Sequence, residues 1–597
     1  MKCGIEIHQR LDTGKLFCSC PSTLSESTPA RIIERKQHPV SSETGGVDTA
    51  VLFEAQKDRT FTYLVPPESA CLVECDCEPP HKMNEEALFA SLSICTQLGS
   101  TPMDEIQIMR KTIIDGSNTS GFQRTALIAI GGSLETSRGK VGIQTVCIEE
   151  ESAGIVRRSG ENTVFRLDRL GMPLIEIATE PVIEGGEHAK ETARKIGEML
   201  RIAGCAQRGI GTIRQDLNIS VEGGARVEIK GAQELEGIPA LVENEAQRQK
   251  KLLGIMKEVA KRMGDNPEIP AHFPDVTSVF KETGSLLLKK ALQKGERVFG
   301  LRLPKHAGLL GIELYAGRRY GSELSDYAKS AGVGGIIHSD EDMVKYGITQ
   351  AEISVLRTRL GMESTDAFVL AAGEERIARK ALLAVWSRAL ESEIPSETRR
   401  ALPDGASEYM RPIAGGSRMY PETDVPPIRI GQAELERVKN EVGGRNAEEV
   451  KNRINSLLNP ELAVQILKSR HLNLFLRLCD EGHDAKLIAI TLTKTLTELR
   501  REGVELRDAN SSLIDLFFLY SEGIFVKGAI PHLLRKMAEG KGCEDAVKEL
   551  GLLRITGEGL KRIVEEEEGS MAGIMKKYSL LIDADELKEF LRGYKAD

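Results

Sequence analysis

Gly4-Ile5-Glu6-Ile7-His8 is the stretch that decides how the rest of the sequence is read. Apolar and polar side chains alternate through it with the period of a β-strand, so Ile5 and Ile7 point to one face, Glu6 and His8 to the other. A carboxylate and an imidazole two residues apart on one face reach a single cation. The competing reading is a half-buried strand whose polar face meets water. A strand that starts four residues into the sequence leaves no room before it for a signal peptide. The same polar-faced pattern returns four more times within 230 residues.

Residues 141–151 carry the first return. If that strand stays regular, Val141, Ile143, Thr145, Cys147, Glu149 and Glu151 share one face, and Gly142, Gln144, Val146, Ile148 and Glu150 the other. The run Glu149-Glu150-Glu151 repels itself unless a cation or arginine neutralises it. Leu174-Ile175-Glu176-Ile177-Ala178-Thr179-Glu180-Pro181 places Glu176 and Glu180 together. Residues 214–221 set Arg214, Asp216, Asn218 and Ser220 against Gln215, Leu217, Ile219 and Val221, and Val227-Glu228-Ile229-Lys230 presents Glu228 and Lys230. Five such strands predict an antiparallel sheet with one face open and polar and the other covered by helices at about 187–203 and 240–263. A polar bed holding Glu6, His8, Glu151 and Glu176 suits Mg²⁺, a hard cation served by oxygen ligands. The alternative is that these carboxylates pair with Arg166, Arg169 and Arg214.

Length and composition frame this reading. At ~150 residues per domain, 597 residues predict about four domains, an α+β multidomain chain. No run of ~18 apolar residues is present to span a membrane. Eleven scattered cysteines favour reduced thiols in a cytoplasmic setting over a disulfide framework. A net charge of −9 argues against nucleic-acid binding over the whole surface and leaves room for a local basic patch. Two Cys-x-Cys pairs, Cys18/Cys20 and Cys75/Cys77, are candidates to hold zinc, against free or packed thiols. A helix is predicted over 84–99, with Asn84 as cap and Gly99 as stop. The loop 115–124, with Ser117, Asn118 and Ser120, has the small polar groups and free N–H groups that hold phosphate or a polar substrate, and matches no phosphate-loop template. A proline-rich break at 267–274 opens a separate α+β module over about 275–400. Residues 401–432 then return to the first domain, and 433–597 read as helical.

Taken in order, Gly4-Ile5-Glu6-Ile7-His8, Glu150-Glu151-Ser152-Ala153-Gly154, Gly171-Met172-Pro173 through Pro181, Arg214-Gln215-Asp216-Leu217-Asn218-Ile219-Ser220, Val227-Glu228-Ile229-Lys230 and Tyr420-Pro421-Glu422 through Pro427 resemble the ordered motifs of the GatB/GatE family. The spacing of 25 between Glu151 and Glu176 is that family's. The module at 275–400 is similar to the extra domain of bacterial aspartyl-tRNA synthetases, which marks the archaeal GatE branch.

The resemblance implies a cradle domain over 1–270 with kinase and transamidase chemistry, the inserted domain, and an all-α domain with a YqeY-like tail that binds tRNA. It implies a carbon–nitrogen ligase that phosphorylates the γ-carboxylate of Glu-tRNA(Gln) with ATP, after which ammonia displaces phosphate to give Gln-tRNA(Gln). His8, Glu151 and Glu176 match the family's Mg²⁺ positions, with Glu6 beside them, and Asp216, Glu228 and Lys230 fall at motif positions on the same face. Ser152 stands where many members carry Asp, which removes one carboxylate. The Cys-x-Cys pairs resemble a zinc site present in only some relatives. No Ser-Ser-Gly-Ser amidase or Thr-Gly-Gly-Thr asparaginase motif occurs, so a second protein is expected to supply ammonia. The resemblance names it as GatD, a glutaminase of asparaginase type, in a heterotetramer. The competing functions are a non-catalytic tRNA-binding scaffold and a small-molecule carboxylate–amine ligase, in which the helical half has no part.

Overall fold

A computed structural model describes residues 1–43, 45–159, 162–264, 270–442, 447–506 and 509–594. The proline-rich boundary expected at 267–269 lies outside the described residues. The chain divides into two compact units, Met1–Gly444 and Arg445–Asp597.

The first unit is organised on one large mixed sheet. Ten of its strands form a continuous path: β1 (Lys2–Arg10), β2 (Ile108–Thr112), β3 (Phe122–Ile130), β4 (Gly139–Glu150), β5 (Pro173–Thr179), β6 (Ile213–Ser220), β7 (Val227–Lys230), β8 (Glu397–Ala401), β9 (Ser407–Pro412) and β10 (Met419–Pro421). Their spatial order is β9-β8-β7-β6-β1-β5-β4-β3-β2-β10, so the opening strand is central. All neighbours are antiparallel except β7 and β8. The two ends of the path, β9 and β10, are joined by residues 413–418 alone. Seven residue steps reach at most about 25 Å, whereas ten flat strands would hold their edges ~43 Å apart at ~4.8 Å per strand. The sheet is therefore strongly curled, with its two edges meeting in one seam.

The apolar face is buried as expected: Ile5, Ile7, Ile175, Ile177, Leu217 and Ile219 are 0–2% exposed. Helices α1 (Glu85–Leu98), α2 (Gly186–Ala203) and α3 (Ile238–Met263) cover it, α1 against β3 and β4, α2 against β1 and α3 against β6. Asn84 caps α1 by accepting from the Ala87 N–H at 3.0 Å, and Gly99 ends it in the left-handed conformation.

One expectation about β4 is overturned. Gln144 has no partner between the Ile143–Thr179 and Thr145–Ala178 pairs, so the strand is bulged there and its alternation flips. Val141 and Ile143 enter the core together with Val146 and Ile148, all at most 1% exposed, while Thr145, Cys147 and Glu149 face the polar side.

The segment after α3 builds its own antiparallel sheet from Arg297–Leu303, Ala367–Gly373 and Ile337–His338. Phe299, Leu301, Leu303, Val369 and Ala371 pack with α3, α4 (Tyr320–Ser330) and α5 (Glu375–Leu390) on one face. Val298, Phe368 and Leu370 pack into a second core on the other. A buried charge network ties this segment to the main sheet. Glu323 of α4 accepts from Arg248 of α3 at 2.6 Å, and Arg388 of α5 and Arg399 of β8 lie 3.3 and 3.2 Å away. The chain rejoins the main sheet at Glu397, and helix α6 (Gln432–Val442) packs on α1.

The second unit is helical throughout its described residues. Among the described residues, no helix of the chain is long and apolar enough to cross a membrane.

Candidate active site

The polar side chains of β1 meet those of both neighbouring strands. His8 pairs with Glu176 of β5 and with Arg214 of β6, and Glu6 lies opposite Asp216. His8 Nε2 is 3.2 Å from Glu176 Oε2 and 3.3 Å from Glu6 Oε1. Two overlapping donor sets result, Glu6–His8–Asp216 and His8–Glu149–Glu176, each with its ligand atoms within 4.8 Å of one another. Four carboxylates and one imidazole are the donors a hard divalent cation takes. Burial works against a charged His8 ring, but the hydrogen bond to Glu176 and the charges of Glu176, Glu6 and Asp216 outweigh it and push its pKa up to about 9. Burial, then Glu176, raise Glu6 to about 7. His8 is therefore an imidazolium at neutral pH, holding by its proton the place of positive charge among the acids.

The expected metal ligand Glu151 is not in this cluster. It is 1% exposed, and its oxygens accept from Arg10 Nε at 3.0 Å and Arg214 Nη2 at 2.8 Å. Burial opposes its charge, yet Arg214, Arg169 and Arg10 hold its pKa below the usual range. Glu149 occupies the metal-facing position instead, because the β4 bulge turns it to the polar side. Each member of the acidic run has its own cation: Lys111 for Glu149, Arg124 for Glu150, and Arg10 with Arg214 for Glu151. The alternative of arginine pairing thus holds for Glu151 and Arg214. It does not hold for Arg166, which pairs with Asp168, or for Arg169, which donates to the Ser152 and Ala153 carbonyls.

Asp216, Glu228 and Lys230 extend the same basin. Lys230 Nζ lies 2.7 Å from Asp216 and 3.0 Å from Glu228, and Thr398 donates to Glu228 at 2.9 Å. The loop 115–124 makes its hydrogen bonds elsewhere: Gly116 N donates to Gln37 at 3.1 Å, Tyr63 OH donates to the Gly116 carbonyl, and Thr119 donates to the Glu74 carbonyl. Gly116 has φ +84° and a Cβ there would lie 2.2 Å from Phe61, so no other residue fits. Ser117 accepts from Asn118, and Ser120 donates to the Phe122 carbonyl. The buried Asn118 Oδ1 has no partner.

A second cluster gathers Cys18, Cys20, Cys71 and Glu74. Cys18 Sγ is 2.9 Å from Glu74 Oε1, and the Cys71 N–H donates to Glu74 Oε2 at 2.8 Å. Three thiols and a carboxylate within bonding reach fit zinc. Cys75 and Cys77 fall outside the cluster; Cys77 takes a contact from Arg35 instead. The three-residue step from Cys71 to Glu74 is the signal that the Cys-x-Cys pattern hides.

In the second unit, Lys468, Arg470, His471, Lys494, Arg500 and Arg501 line a cleft of about 540 Å³, with Glu498 the one acid among its lining residues. His471 Nε2 lies 3.2 Å from Arg470 Nε and 3.3 Å from Arg500 Nη2. One turn of π-helix, Thr491–Thr495, forms part of the wall.

Comparison with known proteins follows this geometry. Residues 1–436 match the family model described as the GatB/GatE catalytic domain. The chain belongs to the GatB/GatE family. The E subunit of the glutamyl-tRNA(Gln) amidotransferase of Pyrococcus furiosus is 43% identical over 582 residues, 97% of this chain and 92% of that relative. The E subunits of Aeropyrum pernix and Methanocaldococcus jannaschii are each 43% identical, over 586 and 591 residues, covering 96% and 97% of this chain and 91% and 92% of theirs. In GatB/GatE terms, the motif strands β1, β5, β6 and β7 are neighbours in one sheet, and their polar residues converge on one basin.

Proposed function

We propose that this chain is the subunit of an ATP-dependent glutamyl-tRNA(Gln) amidotransferase that activates glutamate on tRNA and transfers ammonia to it. The reading rests above all on the overlapping carboxylate sets around His8 in a GatB/GatE chain. A γ-carboxylate is a poor electrophile. Transfer of the terminal phosphoryl group of ATP to its oxygen makes a mixed anhydride, which ammonia attacks, releasing inorganic phosphate and forming the amide. Such transfer needs alignment and charge neutralisation more than a strong base.

Glu149, Glu176, Glu6, His8 and Asp216 would hold Mg²⁺, which when bound neutralises phosphate charge. Lys111 and Lys230, one on each side of the cluster, keep Glu149 and Asp216 ionised and aimed at it. Glu6, the most weakly acidic of these carboxylates, can take a proton from ammonium as it becomes a nucleophile.

We assign residues 1–270 and 401–432 to the cradle, 275–400 to an aspartyl-tRNA-synthetase-like insert, and 433–597 to a helical, YqeY-like tRNA-binding part whose basic cleft contacts phosphate. The ammonia comes from a GatD-type glutaminase partner, in a cytoplasmic heterotetramer. Zinc at Cys18, Cys20, Cys71 and Glu74 is structural.

The test is γ-phosphate release from ATP with Mg²⁺ and ammonium chloride, comparing Glu-tRNA(Gln) with uncharged tRNA, for the wild type and Glu176→Ala. Turnover that requires the charged tRNA and disappears in the variant is expected. Turnover undiminished in Glu176→Ala, or absent even with the glutaminase partner added, would leave a scaffold role.

A further inference from the structure

We propose that Arg411 and Arg418 form an anion clamp on the seam of the curled sheet, closing on the phosphoryl oxygens of the nucleoside triphosphate. This rests on the reading that the basin binds Mg·ATP. Arg411 lies near the end of β9 and Arg418 immediately before β10, so the short connection that joins the two edges of the sheet delivers both guanidinium groups.

Their electrical surroundings locate them. Besides burial, the charges acting on Arg418 are, in order of strength, Arg411, Glu149, Asp48 and Glu228. Arg411 acts in turn on Glu228, and Arg418 on Lys111. The pair therefore overlooks the basin between its Glu149–Lys111 side and its Glu228–Lys230 side. Arg10, Arg110, Arg124 and Arg214 around the sheet are each ion-paired. Among the described residues, neither guanidinium of the seam pair has an ion pair or hydrogen bond, and the strongest charge facing Arg418 is another cation. Two partly buried like charges with no counter-charge are costly unless an anion completes them.

The seam is also held in place rather than left to find its ligand. Asp48, 3% exposed, accepts from the Gly415 N–H at 2.7 Å through one oxygen. Its other oxygen accepts from Ala50 and Val51 at 2.9 and 3.3 Å, at the start of the helix Thr49–Ala55. The basin is thus bipolar: acids around His8 for a cation, and across from them two guanidinium forks whose geometry matches phosphate oxygens. Positive charge at that point opposes the charge that builds on the transferred group.

The experiment is calorimetric binding of magnesium AMP-PNP and of AMP to the full-length protein. Arg411→Ala and Arg418→Ala are each expected to weaken AMP-PNP about tenfold or more while AMP changes less than twofold. Arg418→Lys keeps charge and bulk, so it reports even where an alanine variant does not fold. It is expected to bind AMP-PNP several-fold more weakly than the wild type, since an ammonium cannot make the two-pronged contact. AMP-PNP affinity unchanged in these variants, or AMP weakened equally, would overturn the clamp alone. A wild type that binds no magnesium AMP-PNP would overturn the nucleotide reading together with the clamp.

Discussion

His8 and Glu176 face each other across the β1–β5 pairing, Nε2 to Oε2 at 3.2 Å, and the proton they share sets the charge of the basin. Glu176→Gln removes the hydrogen bond and charge that favour the imidazolium, so the His8 pKa is expected to fall from about 9 toward neutrality, read by NMR titration of the ring. ATP turnover should drop by about 100-fold or more. A cation must displace that proton. Magnesium affinity of the wild type should therefore rise with pH up to about 9 and level off above it, with proton release measurable by calorimetry in buffers of different ionisation enthalpy.

Glu151 offers the opposite outcome. Its carboxylate neutralises Arg10, itself 5% exposed, so Glu151→Gln leaves a buried cation without its counter-charge. A loss of about 3 kcal/mol in stability is expected, seen as a lower midpoint of thermal unfolding. Magnesium affinity should stay within about twofold of the wild type. A weakened metal site with unchanged stability would return Glu151 to the ligand set.

The thiol cluster makes a prediction about composition. Protein purified with zinc present should carry one equivalent by elemental analysis. Cys71→Ser should lose it, and Cys75→Ser and Cys77→Ser should keep it, because only Cys71 lies with Cys18, Cys20 and Glu74. Removal of zinc by a chelator should loosen the loops around Cys18 and Cys71, raising amide exchange there while β1 to β7 remain protected.

His471 gives the second unit a pH dependence. Burial, then Arg470 and Arg500, lower its pKa to about 4. A histidine whose folded value lies below its unfolded value of about 6.5 stabilises the fold above pH 6.5, and that contribution is lost as pH falls toward 4. Acid unfolding of the wild type should reflect about 2–3 kcal/mol from this group, and His471→Gln should flatten the curve between pH 6.5 and 4.

Much of this was legible from periodicity. Alternation in residues 4–8, 174–178, 214–221 and 227–230 places Glu6, His8, Glu176, Asp216 and Glu228 on one face of adjacent strands, because burying Ile5, Ile7, Ile175 and Leu217 fixes the register. Alternation fails where a strand is bulged. One unpaired residue, Gln144, reverses the parity of all that follows in β4, so Glu149 faces the basin and Glu151 does not. Cysteine spacing fails for a different reason: loops bring Cys71 to Cys18 and Cys20 through tertiary contact, which no local pattern carries. The meeting of β9 and β10, and with it the placement of Arg411 and Arg418, is a property of ten strands together.

The seam has a consequence for biogenesis. β1 is central to the sheet, yet its closing strand β10 follows roughly 400 residues later. At a synthesis rate of ~5–20 residues per second, that is a wait of on the order of 20–80 s. Throughout that interval the nascent sheet has open edges and an acidic face without Arg411 and Arg418. The intervening segment is made first, and the buried network of Arg248, Glu323 and Arg388 must be assembled before Arg399 can enter it on β8. The insert thereby acts as a checkpoint in translation order, since the ring of strands is completed only on a chain whose middle has already folded.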